Sequence, residues 1–265
     1  MIKARSIKSY NSKNCKYVIK PIRVPWGEFP DVIIQAPIGK AKKHALYSAA
    51  KAGDVEAALK IVSSLINSEK LAQIAGFIGY ESPIVIAVHA EEAVSYNELP
   101  QAYAEVLASY IGLKTDTHVV QAIKVSRNET NGFYRIANQP YFDGVVTHGL
   151  KYIIVDDTLT QVGTLANLRG HIESQGGKVL FATTLTGKQY SAKLSLSPNT
   201  LLEMRQLYAA IEPWWITCFG YGFDYLTESE ARYIIRNGQA PDILRNRIIE
   251  SRQNQGFKIA QETDY

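Results

Sequence analysis

Between Tyr152 and Gln175 the chain changes character in an order that constrains its fold more than any other stretch. Tyr152-Ile-Ile-Val155 is a short apolar run of the kind that forms a buried strand. Two consecutive acids follow, Asp156 and Asp157, then the turn-like Thr158-Leu-Thr-Gln-Val-Gly-Thr164, then a helical pattern over Leu165–Gln175 that Gly176-Gly177 stops. A buried strand feeding directly into a helix predicts an α/β fold with a parallel sheet, because parallel neighbours need helical crossovers.

The same stretch carries chemistry. Ligands of open parallel sheets bind just beyond the carboxyl ends of the strands, where both acids stand. The turn over Thr160–Thr164 offers successive backbone N–H groups at a helix N-terminus, with two threonine hydroxyls beside them, which is an anion cradle. Two carboxylates beside a phosphate cradle make sense when the ligand also brings hydroxyl donors, since ionised carboxylates only accept hydrogen bonds. A sugar phosphate brings both, and magnesium could share such a site. The plainer alternative is an acidic turn that caps a helix.

The rest of the chain extends the alternation. Val32–Gln35 is strand-like, and Gly53-Asp54 opens a helix with Ala58, Ile61, Val62 and Leu65 as its apolar stripe and Asp54 as its cap. Pro83–Val88 reads as a buried strand, Pro100 begins a helix, His118–Val125 reads as a strand and Lys178–Thr183 as another. Arg127–Gly144, rich in Asn, Gly, Tyr and Phe, reads as a long loop or loose hairpin. Thr200 with Glu203 and Thr227 with Glu230 both match a helix capping box. Between them lie Trp214, Trp215, Phe219, Tyr221, Phe223 and Tyr225, read as packing, with base stacking as the alternative.

Composition excludes several classes. The 265 residues are 46% hydrophobic and 20% charged, as in a folded soluble protein. Ile84–Val88 is too short an apolar run to span a bilayer, and the basic start of the chain is followed by no secretory apolar stretch. Cys15 and Cys218 form no cysteine framework or zinc pattern, so the expectation is a cytoplasmic protein. The net charge of +4 suits a phosphorylated ligand. Lys3, Arg5, Lys8, Lys13, Lys16, Lys20 and Arg23, with no acid among them, could form a nucleic-acid-facing arm, though a solvated leader is the simpler reading. His44, His148 and His171 show no catalytic spacing.

Val155-Asp-Asp-Thr-Leu-Thr-Gln-Val-Gly-Thr164 resembles the phosphoribosyl pyrophosphate signature of the type I phosphoribosyltransferases: apolar residues, two acids, two apolar residues, then Thr-Thr-Gly-Gly-Thr. Thr158 stands where an apolar residue is common, and Val162 replaces the first glycine, which requires a negative φ there. The resemblance implies an α/β, type I phosphoribosyltransferase-like fold: a mostly parallel sheet flanked by helices, with an extra N-terminal region and a helical C-terminal tail. It divides the chain into an N-terminal extension or hood (1–70), a core (71–200) and a helical, aromatic segment (201–265). It also implies that Asp156 and Asp157 hold the ribose hydroxyls and that Thr160, Gln161, Val162, Gly163 and Thr164 wrap the 5-phosphate.

The family's pyrophosphate loop would fall at His89-Ala90-Glu91-Glu92-Ala93, with Ala90 and Glu91 at the substrate and Glu91, Glu92, Asp156 and Asp157 around Mg2+. Its catalytic loop would fall within Arg127–Gly144, with Arg127 and Arg135 neutralising the leaving pyrophosphate and Lys124 a weaker candidate. The implied partners are phosphoribosyl pyrophosphate and a nucleobase-like acceptor, and a homodimer is possible. Three activities stay open: a base phosphoribosyltransferase of nucleotide metabolism, a non-catalytic regulatory binder of the same ligand, and an accessory enzyme of a mobile or toxin–antitoxin locus.

Overall fold

The computed structural model describes residues 20–89, 97–123, 131–159 and 163–262. Its strands are β1 (Ile33–Pro37), β2 (Ile84–Ala87), β3 (Lys114–Asp116), β4 (Val120–Ile123), β5 (Tyr141–Asp143), β6 (Lys151–Leu159) and β7 (Lys178–Gly187). Its α-helices are α1 (Tyr47–Lys51), α2 (Val55–Leu65), α3 (Ser68–Ile78), α4 (Leu99–Ile111), α5 (Gly132–Ala137), α6 (Gly163–Ser174), α7 (Pro198–Tyr208), α8 (Glu212–Phe219), α9 (Glu228–Asn237) and α10 (Pro241–Glu262). Five strands form one sheet in the order β1-β7-β6-β2-β3, every neighbour parallel. The expected mostly parallel sheet flanked by helices, with a helical C-terminal region, is the architecture observed.

Strands buried on both faces need apolar residues at successive positions, which is why Ile84-Val-Ile and Tyr152-Ile-Ile-Val form the middle of the sheet. One face packs Val85, Ile153, Val155, Phe181 and Leu185 against α2, α3 and α4. The opposite face packs Ile86, Tyr152, Ile154 and Ala182 against α6 and the segment around Trp26 and Phe29. Asp54 caps α2 as expected, its Oδ1 accepting from the Ala57 N–H at 2.9 Å. A third core gathers α5 and the helices from α7 onward around Trp215, Phe219 and Phe223. Trp215 stacks on Phe219 with ring centroids 4.1 Å apart, so the aromatic cluster is interior packing.

Several expectations need correction. β1, within the expected N-terminal extension, pairs with β7 of the expected core. The strand expected over His118–Val125 forms as β4, but it pairs antiparallel with β5 in a separate ribbon, and the edge of the parallel sheet is β3. Lys114-Thr-Asp116 is a largely exposed edge with no apolar run for pattern reading to find. Arg127–Gly144, predicted as a long loop or loose hairpin, contains β5, which pairs antiparallel with β4, and also the helix α5, which Asn131 caps by accepting from the Tyr134 N–H at 2.8 Å. Ser197, not Thr200, caps α7, accepting from the Thr200 N–H at 3.2 Å. The box at Thr227 and Glu230 does form.

A buried hydrogen-bond chain fastens β1 and β7 to the first helical layer. Gln35 Nε2 donates to the Tyr103 hydroxyl at 3.0 Å, which reaches Thr183 Oγ1 at 2.6 Å, and Thr183 donates to the Ile33 carbonyl at 2.7 Å. Tyr103 therefore serves as acceptor and donor inside a dry layer. Tyr103→Phe should lower the unfolding free energy by about 1–3 kcal/mol, because it leaves buried polar groups unpaired. A lower urea midpoint at unchanged slope is the expected reading, and an unchanged midpoint would contradict the network's role.

Candidate functional site at the end of the central strands

The two middle strands end at different heights. β2 pairs with β6 as far as Ala87 opposite Val155, and the Val88 N–H closes that edge on the Val155 carbonyl at 2.8 Å. β7 stays paired with β6 through Leu159. The stretch from Asp156 to Leu159 thus projects past β2. The helix after β2, α4, covers one face, and the helix after β6, α6, covers the other. Adjacent strands whose crossovers leave to opposite faces open a crevice at their carboxyl ends, the usual ligand position in such sheets. Asp156 and Asp157 stand there. They lie within β6, where the sequence pattern ends the strand at Val155.

Asp157 is tied into its surroundings by residues that sequence reading misses. Its Oδ2 accepts from Lys51 Nζ at 3.1 Å and from Asn97 Nδ2 at 2.8 Å. Lys51 ends α1, and Asn97 precedes α4. The Glu98 N–H donates to the Ala50 carbonyl at 3.2 Å, holding these two segments together. Burial works against the Lys51 charge, but Asp157 beside it outweighs that and raises its pKa. Nothing in the local sequence marks Lys51 or Asn97, because the contact with Asp157 joins positions 106 and 60 residues apart. Asp156 Oδ1 accepts from the Asp157 N–H at 2.8 Å. Thr184, opposite Asp156 on β7, has a buried hydroxyl without a hydrogen-bond partner.

The first turn of α6 begins with Gly163 and Thr164, both buried. Against it lies a buried ion pair. Arg23 donates to both oxygens of Glu230 at 2.8 Å, to Asn167 Oδ1 at 2.7 Å, to Gln139 Oε1 at 3.0 Å and to the Tyr225 carbonyl at 3.1 Å. A Cβ on Gly163 would stand 2.7 Å from Glu230 Oε1, so only glycine fits this approach. Burial alone would push the Glu230 carboxyl up, but Arg23 and the Thr227 hydrogen bonds hold it below its ordinary value. Arg23, counted from sequence in a basic arm, is therefore an interior residue and no nucleic-acid contact.

Thr160, Gln161, Val162, Ala90, Glu91, Glu92, Arg127 and Lys124 lie outside the described residues, as does most of the basic arm. Arg135 is half-buried on α5, a helix that packs against α9 and α10, and not in a loop. Among the described residues no three His, Cys, Asp or Glu side chains gather to hold a metal. One oxygen of Asp157 is already engaged by an ammonium and an amide. The described donors thus do not fit a magnesium ion held by the protein alone. Among those residues, no helix is long and apolar enough to cross a membrane.

No family model matches the chain. It is 41% identical over 231 residues to Protein TraN of Escherichia coli, an alignment that covers 87% of this chain and 51% of the relative. It is also 41% identical over 152 residues to an uncharacterized protein of Haemophilus influenzae, covering 57% of this chain and 34% of that one. The chain spans about half the length of the first relative and about a third of the second. Among solved structures it is similar to an adenine phosphoribosyltransferase from Leishmania donovani at 14% identity and a TM-score of 0.33, over 62% of this chain and 75% of that one.

Two outcomes follow from the packing at α6. Gly163→Ala should cost about 1–3 kcal/mol, because Glu230 is pinned on both sides and cannot yield; a denaturation midpoint equal to the parent's would contradict this. Glu230 has a folded pKa below its ordinary 4.5. Its contribution to stability is therefore complete above that value and is lost as pH falls through the lower folded one. Glu230→Gln should flatten this acid limb in denaturation measured from pH 6 downward, and an unaltered limb would contradict the assignment.

Proposed function

We propose that the chain binds phosphoribosyl pyrophosphate at the carboxyl end of β6 and transfers its ribose 5-phosphate to a nitrogenous base with release of pyrophosphate. The observation that carries this reading is the position of Asp156 and Asp157. They lie where β6 runs on past the end of β2, ahead of α6. Asp156 and Asp157 accept hydrogen bonds from the ribose hydroxyls. Backbone N–H groups and hydroxyls from Thr160, Gln161, Val162, Gly163 and Thr164 receive the 5-phosphate, favoured by the partial positive charge of the helix N-terminus.

In the reaction a base nitrogen forms a bond to ribose C1 as the bond from C1 to the pyrophosphate oxygen breaks. The bonding pair leaves with pyrophosphate, and the nitrogen's proton passes to solvent. The transition state is oxocarbenium-like, so positioning and charge neutralisation do most of the work. Arg127, with Ala90 and Glu91 of the segment after β2, belongs on the pyrophosphate side. No step requires a metal ion held by the protein.

A second reading, a regulatory protein that binds the same ligand without turnover, is favoured by the position of Arg135. It lies on the helix α5, which packs against α10, where the transferase reading calls for an arginine in a loop. Pyrophosphate release on adding a panel of purine and pyrimidine bases distinguishes the two. Release with any base supports the transferase, whereas tight binding without release with every base sinks it. The binding site itself is tested by Asp156→Asn with Asp157→Asn. This double variant should bind phosphoribosyl pyrophosphate at least about tenfold more weakly at an unchanged unfolding midpoint. Unchanged affinity would overturn the site.

A further inference from the structure

We propose that Lys51 is the resident counter-ion of the sugar site, occupying at Asp157 the place a divalent cation would take, so that the chain binds a ribose 5-phosphate without metal. The inference rests on the functional reading above and concerns how that same site is charged. Consecutive carboxylates next to a phosphate cradle repel the ligand they are meant to hold, unless a cation stands between them. Here the cation is built in. Lys51 Nζ lies 3.1 Å from Asp157 Oδ2, and Asn97 Nδ2 takes the same oxygen at 2.8 Å. With an ammonium on that oxygen, a metal ion there would meet like charge. Lys51 and Asn97 both take Oδ2, so in this proposal the ligand hydroxyl is received by the other carboxylate oxygen, Oδ1.

The pair is built for the site more than for stability. Lys51 is 37% exposed in its side chain against 14% for Asp157, so the bond lies at the crevice mouth, where an ion pair adds little to folding. Its geometry is nevertheless fixed from both ends. The Glu98 N–H holds the Ala50 carbonyl, setting the end of α1 beside the start of α4. Asn97 is oriented by accepting from the Leu99 N–H at 3.3 Å while its amide donates to Asp157. Lys51 acts through Asp157 and is a positioning residue.

The test is calorimetric titration of the full chain with ribose 5-phosphate, which lacks the pyrophosphate that itself attracts magnesium. Each titration is run in excess EDTA and in millimolar magnesium. The parent should bind with the same Kd, within about twofold, in both. Lys51→Met should weaken binding in EDTA at least about tenfold and recover part of it in magnesium, whereas Lys51→Arg should stay within about threefold of the parent. Both variants should keep the parent's unfolding midpoint, since the pair is partly exposed. Parent binding that requires magnesium, or a Lys51→Met Kd in EDTA equal to the parent's, would overturn the inference and leave the site reading standing. If the parent binds neither ribose 5-phosphate nor phosphoribosyl pyrophosphate in either buffer, the site reading fails and the inference falls with it.

Discussion

The buried fork between Arg23 and Glu230 is the interaction on which the arrangement of the molecule depends. It joins the segment before β1, the first turns of α6 and the start of α9, three parts of the chain that share no sheet or helix. Two parallel bonds of 2.8 Å neutralise both charges. The remaining guanidinium protons go to Asn167, Gln139 and the Tyr225 carbonyl, so that little of the desolvation cost is left uncompensated. Asn167 passes the connection on by donating to the Pro140 carbonyl at 2.9 Å. Glu230 also closes its own helix's capping box, so one carboxylate starts α9 and holds Arg23.

This fork lies against Gly163 at the start of α6. The close approach of Glu230 to Gly163 means that the first turn of α6 cannot shift without disturbing the contact with the helical C-terminal region. The proposed sugar site is thereby flanked by two ion pairs of different kinds. Arg23 with Glu230 is dry and holds the first turn of α6 at Gly163. Lys51 with Asp157 is partly wet and sets the charge of the group that would receive the ribose. A buried pair resists exchange because separating it strands a charge, while a pair at the surface can yield to a ligand.

Much was legible in the residues alone. The apolar runs of β2 and β6, the helix after Asp54 and the box at Thr227 are local patterns, and each formed near its expected place. What escaped was either short or distant. β3 is three residues of exposed edge, and α5 is a six-residue helix with too little length to show a period. The aromatic cluster near Trp214 could be read as packing or as a stacking surface, and only the burial of Trp215, Phe219 and Phe223 decides for packing.

By itself the sequence determined that a buried strand would carry two acids at its carboxyl end, ahead of a helix, because alternation and helix-stop signals act over a few neighbouring residues. Only the tertiary structure decided which groups meet those acids. That β6 outlasts β2, that Lys51 and Asn97 converge on Asp157, and that Arg23 is an interior residue facing Glu230 are consequences of strand order and helix packing. Such contacts join residues tens to hundreds of positions apart, and their energy depends on burial that no local pattern encodes.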